Sequence, residues 1–140
     1  MRWSSLEQLS KSGFESVPEK PGVYKINFRS NGKPKPIAKA GGIDRNGIVY
    51  IGRSENLRHR IKIFWKGLRD KRSKIKTGHS GANTYVLFGF GRKFSQKNLY
   101  VIWKTCAKEK TKEGEKALLH TYVKKYLDTP PLNLTVQRNW

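Results

Sequence analysis

Three short runs dense in β-branched and aromatic residues set the frame for this chain: 22–28 (Gly-Val-Tyr-Lys-Ile-Asn-Phe), 48–51 (Ile-Val-Tyr-Ile) and 99–103 (Leu-Tyr-Val-Ile-Trp). Such side chains fit the pleated, half-buried surface of a strand. Pro18 and Pro21 stiffen the approach to the first run, and Gly52 ends the second. Between them lies a stretch, 29–47, rich in Gly, Pro and Lys, with breakers at Asn31-Gly32, Pro34, Pro36 and Gly41-Gly42. The first two runs are therefore expected to form an antiparallel pair with an enlarged connection. The third is continuous, the pattern of a strand covered on both faces.

Helical periodicity fills most of the remainder. Residues 3–11 space Leu6 and Leu9 three apart behind Ser4 or Ser5 as a cap, predicting a short helix. Behind Ser54, also a candidate cap, Leu57, Ile61, Phe64, Trp65 and Leu68 recur at helical spacing. A second strong helix is predicted over 113–127, with Leu118, Leu119, Tyr122, Val123 and Tyr126 on one side, stopped before Pro130-Pro131. The apolar stretch 82–90, behind a Gly-rich break at 78–81, fits a strand or a buried helix equally well. The expected class is thus mixed α/β, one domain over 1–140, with 1–20 as an N-terminal extension and 21–135 as the core. Cys106 is the only cysteine, which excludes an intramolecular disulfide and a cysteine-rich zinc site and suggests a partly buried thiol in a reducing compartment.

Thirty Lys and Arg stand against ten Asp and Glu, a formal net charge of +20. Self-repulsion of that size destabilises a compact chain unless a polyanion offsets it, and nucleic acid is the natural partner. Charge alone does not separate a nuclease from a passive binder. No apolar stretch is long enough to span a bilayer and the N-terminus lacks an apolar signal core, so the expectation is a soluble, cytoplasmic protein with no membrane partner.

Two charged residues sit where apolar stripes lead. At about 100° per residue Arg60 falls within about 60° of Leu57 and beside Ile61 and Phe64, whereas Arg58 and Lys62 point away. Glu115 shares the side of Leu119, Tyr122 and Tyr126, being four, seven and eleven residues before them. Each has an ordinary explanation: Arg60 along the core edge paired with a carboxylate, Glu115 favoured by the helix dipole. Together they have another. A carboxylate holds Mg²⁺ through oxygen and a fixed guanidinium grips phosphate, the parts needed to orient a phosphodiester for cleavage.

At this point the chain resembles the GIY-YIG nuclease family. Gly22-Val23-Tyr24 and Tyr50-Ile51-Gly52 match its two tyrosine motifs, and Arg53-Ser54-Glu55-Asn56-Leu57-Arg58-His59-Arg60 is similar to its following arginine segment. Glu115 in Glu-Lys-Ala-Leu-Leu and the later Pro131-Leu132-Asn133 resemble its metal-binding glutamate and terminal asparagine. The resemblance implies a central three-stranded antiparallel sheet flanked by helices, and a metal-dependent DNA endonuclease using Mg²⁺ or Mn²⁺. It implies Tyr24 as general base with Tyr50 as its hydrogen-bonded neighbour. Arg60 would hold the scissile phosphate, Glu115 the metal, and Asn133 would buttress the site. Arg53, Arg58, Lys62, Lys66, Arg69 and Asn133 are the residues expected to contact DNA. One departure stands out: Phe64 occupies the position, one turn after Arg60, where the family often has His or Tyr. His59 lies about 100° around from Arg60 and substitutes poorly, while His79, on the Gly-rich turn, is the better candidate. The alternative is a noncatalytic nucleic-acid-binding protein on the same scaffold. One active site cuts one strand, so double-strand cleavage would need a homodimer or sequential events, and target choice a partner protein or DNA shape.

Overall fold

The computed structural model describes residues 2–69 and 79–133. Within them the order is β1 (Ser4–Ser5), α1 (Leu6–Lys11), β2 (Gly22–Ser30), β3 (Lys33–Pro34), β4 (Ile37–Lys39), β5 (Gly42–Asp44), β6 (Ile48–Ser54), α2 (Leu57–Arg69), α3 (Ser80–Leu87), β7 (Leu99–Thr105) and α4 (Thr111–Tyr126). The three β-rich runs form β2, β6 and β7, all antiparallel, with β2 paired on both sides.

The sheet has five strands, not three. Ser4–Ser5 extends the outer edge of β7, and Lys33–Pro34 folds back on the end of β2. Both additions are two residues long and hold no β-branched or aromatic residue, so propensity gives no hint of them. The second is made by Asn31 and Gly32, whose φ values of 55° and 76° are those of a two-residue hairpin turn matched to strand twist. A separate hairpin joins β4 and β5. Residues 4–11, expected in an extension, belong to the same sheet edge and core, with Leu6 and Leu9 buried.

One face of the sheet carries Tyr24, Ile26, Phe28, Tyr50, Leu99 and Val101 into the main core, against Leu6 and Leu9 of α1 and the expected stripe of α2: Leu57, Ile61, Phe64, Trp65 and Leu68. A smaller cluster joins Ile48 and Ile51 of β6 to Leu119, Tyr122 and Tyr126 of α4. Two polar groups hold β6 in place. Asp44 accepts from Asn46 N–H, Ile48 N–H and the Tyr122 hydroxyl, closing the turn into the strand. Asn133 accepts from Ile51 N–H and donates to Ile51 C=O, both at 2.9 Å, so its amide completes the backbone pairing on the outer edge.

Helix starts follow local chemistry. Ser5 caps α1. Asn56, not Ser54, caps α2: its Oδ1 accepts from His59 N–H at 3.1 Å, while Ser54 ends β6 and its Oγ accepts from Asn56 N–H. The ambiguous stretch resolves as a helix, α3, because the His79 ring caps it and Gly81 packs on the Tyr50 ring. Among the described residues no helix is long and apolar enough to cross a membrane. The cation-dense stretch 66–76 of the sequence is described only as far as Arg69.

Candidate active site

Strand register brings the two motif tyrosines together. Tyr24 on β2 lies opposite Gly52 on β6, and Tyr50 lies opposite Ile26, so both phenols leave one face on a diagonal with ring centroids 6.0 Å apart. Gly52 is what permits this. A Cβ there would meet the Tyr24 Cζ and Oη and the Tyr50 Cε2 at 2.7 Å. Gly52→Ala is expected to cost about 1–3 kcal/mol by overpacking and, by displacing two phenols, to cut any activity of the site by roughly 100-fold. Thermal unfolding and the rate measured on the same preparation check both; a variant with parental rate and stability would mean the rings are not held as described.

His79 supplies the third ring. Its Nδ1 accepts from Gly81 N–H at 3.0 Å and Ala82 N–H at 3.3 Å, which leaves no hydrogen on Nδ1. A neutral imidazole must then carry its proton on Nε2, and Nε2 stands 2.7 Å from the Tyr24 hydroxyl oxygen. His79 is therefore the donor and Tyr24 the acceptor. The imidazole lies 5.0 Å, centroid to centroid, from both Phe64 and Tyr50. Phe64 thus forms an apolar wall for a histidine that arrives from another element.

Burial, and then the Arg60 charge, lowers the His79 pKa from 6.5 to about 3. The neutral ring is preferred in the fold, so its contribution to stability is complete above pH 6.5 and is lost as pH falls toward 3. Unfolding free energy should drop by up to about 1.4 kcal/mol per pH unit in that window. His79→Phe should flatten the dependence, and chemical denaturation at several pH values measures it; an equally steep slope in the variant would assign it to other groups.

Both phenols are raised in pKa by burial first. Tyr24 is pushed well above the ordinary value of 10, with the Tyr50 phenol adding to the rise. Arg60 works against this, through its charge and through a hydrogen bond to Tyr24. Tyr50 is raised as well, with a contact to Ser80, whose Oγ is 3.4 Å from its hydroxyl, pulling it back. Glu115, carried by α4, raises both phenols by its negative charge. Its own pKa is raised by burial and pulled back by Arg53 and Arg60. Tyr24, Tyr50, Arg60 and Glu115 are thereby within electrostatic reach of one another, and His79 is within reach of Tyr24 and Arg60.

The residues expected at the DNA surface divide. Lys66 and Arg69 are exposed and Lys62 is half-buried. Arg58 is engaged within the protein: it donates to Val17 O, Glu15 O and the Glu19 carboxylate, pinning the 15–19 segment to α2. Asn133 is turned inward, 1% exposed with its amide engaged by Ile51. That strap holds the strand bearing Tyr50 and Gly52. Arg53 stands 3.9 Å from Glu115 and 3.4 Å from the Thr111 hydroxyl, a residue of the site more than of an outer surface. Helical geometry placed Arg60 and Glu115, but the His79 cap was missed; the signal was a histidine directly before Ser-Gly-Ala, able to accept from the first helical N–H groups.

Among the described residues no group of three or more His, Cys, Asp or Glu stands together. Glu115 therefore offers one carboxylate. That suits Mg²⁺, which binds through one or two carboxylates plus water and substrate phosphate oxygens, and does not suit a closed zinc site. A half-buried carboxylate with a raised pKa is also one that an added cation would stabilise. A scan of protein-family models, a search of curated proteins and a search of solved structures each return no match to this chain.

Proposed function

We propose that this chain is a metal-dependent endonuclease that hydrolyses DNA phosphodiesters, on a domain of the GIY-YIG type. The observation that supports it most is the grouping of two phenols, a guanidinium, a neutral imidazole and a carboxylate around one point of a strongly basic domain. In this reading Arg60 binds the scissile phosphate and offsets charge on its oxygens. The Tyr24 oxygen, fixed by His79 Nε2–H and Arg60, takes a proton from water in its ionised form. The water oxygen bonds to phosphorus as the bond from phosphorus to the 3′ oxygen breaks, and the leaving oxygen takes up a proton to give a 3′-hydroxyl and a 5′-phosphate. A Mg²⁺ or Mn²⁺ ion held by Glu115 would supply positive charge for the developing leaving group. Tyr50 packs beside Tyr24, and Arg53 balances Glu115.

Supercoiled plasmid incubated with the protein and Mg²⁺ or Mn²⁺ should be nicked one strand at a time, and chelator should stop it. A second reading, a noncatalytic binder on the same scaffold, is motivated by Phe64 and the charge excess. Plasmid that stays intact from pH 7 to 10 with either metal, yet is bound in a salt-sensitive way, would favour it.

A further inference from the structure

We infer that a cleft between α1, the C-terminal end of α2 and residues 91–97 takes a nucleotide of an unpaired DNA strand, making strand-bearing branched DNA the preferred substrate class. This rests on the nuclease reading for what occupies the catalytic site. The cleft measures about 610 Å³, a volume that suits a nucleotide-sized ligand. Its wall includes Trp65 and Tyr85, and Lys11, Arg69 and Lys97, all exposed, surround it against one carboxylate among the described residues, Glu7.

Two of the lining donors are engaged within the protein, and a third is not. The Tyr85 hydroxyl donates to Phe94 O at 2.6 Å, and the Gln96 amide nitrogen donates to Leu68 O at 2.9 Å. The Trp65 indole Nε1 is buried with no acceptor among the described residues. Arg69 lies over the indole ring, 5.8 Å from its centroid. Cations beside aromatic rings, with an indole N–H that lacks an acceptor, suit a ligand that is planar, anionic and rich in acceptor oxygens. A nucleotide has all three properties, and stacking with cationic contacts is how single strands are held.

Helix geometry says which strand can reach it. Arg60 and Arg69 are nine residues apart on α2, hence about 14 Å along the axis and about 180° around it. A stiff duplex seated on Arg60 does not turn that corner. A flexible unpaired strand does, and there it can present a base that is not stacked in a helix.

The test is a titration of the uniformly ¹⁵N-labelled full chain with a six-nucleotide oligothymidylate, followed at the indole N–H signals, with Trp65→Phe assigning its peak. The Trp65 signal should move, inorganic phosphate at equal concentration should leave it in place, and the surface double variant Lys11→Ala/Lys97→Ala should bind the oligonucleotide about tenfold more weakly. The same double variant should raise KM for flapped DNA about tenfold with kcat unchanged and leave plain duplex unaffected. Glu115→Gln should bind the oligonucleotide like its parent, so a failed nuclease reading would leave this result standing. A Trp65 signal that ignores the oligonucleotide, or that follows inorganic phosphate equally, would overturn the inference, as would parental oligonucleotide affinity in the double variant.

Discussion

Glu115→Gln should abolish metal-dependent nicking, by roughly 10³-fold or more, since charge stabilisation by a bound metal is worth several kcal/mol. The change keeps the shape of the side chain and removes only its charge. Folding should survive, because the pairing lost is with Arg53 at 3.9 Å and both partners are partly exposed, a geometry worth about 1 kcal/mol or less. DNA binding should hold or tighten slightly, since an anion leaves a basic surface. The sign of the rate effect carries the argument. Glu115 raises the pKa of both Tyr24 and Tyr50, so its neutralisation alone makes the phenols easier to ionise. A site that worked by tyrosine chemistry without a cation at Glu115 would therefore speed up in the variant. Loss of activity supports the metal reading, and a gain removes it.

The parts of this molecule that could be read from sequence are those fixed by local pattern. The β2, β6 and β7 strands and the α2 stripe follow from side-chain type and spacing, and Arg60 and Glu115 follow from helical angle. What depended on partners far along the chain could not be read. Arg58 has the same composition-level signature as Lys66, yet its guanidinium is engaged by Val17, Glu15 and Glu19, and only the fold puts those groups beside it. Asn133 likewise closes the edge of a strand 82 residues earlier. The stretch 82–90 had no decisive periodicity because α3 is buried on several sides, with Gly81, Ala82, Thr84 and Tyr85 all enclosed. Its identity was settled by a tertiary fact, the contact of His79 with Tyr24 that also sets the cap. Phe64 looked like a defect in the motif; in space it is the wall against which His79 is seated.

That seating leads to the other large effect. Tyr24 is a neutral phenol at pH 7, since burial outweighs the pull of Arg60, and only its phenolate can take a proton from water. His79 cannot share this role readily: its Nδ1 is engaged by two backbone N–H groups and its Nε2 already bears hydrogen. The cleavage rate should accordingly climb with pH from 7 through the alkaline range, about tenfold per unit while the phenol remains mostly protonated. Tyr24→Phe should lower the rate by about 10²–10⁴-fold and remove that slope. It also leaves His79 Nε2–H without its acceptor, a destabilisation of about 1–3 kcal/mol, so the rate comparison belongs at a temperature where melting curves show both proteins folded. Tyr50→Phe is the control: it loses a 3.4 Å contact to Ser80 and a hydrogen bond with Tyr24, but leaves the Tyr24 phenol in place and should keep the pH slope. Stopped assays on a labelled oligonucleotide across pH 7–10 distinguish the two. Were Tyr50→Phe to erase the slope while Tyr24→Phe retained it, the base would have to be reassigned to Tyr50, and the donor role given to His79 would lose its catalytic meaning.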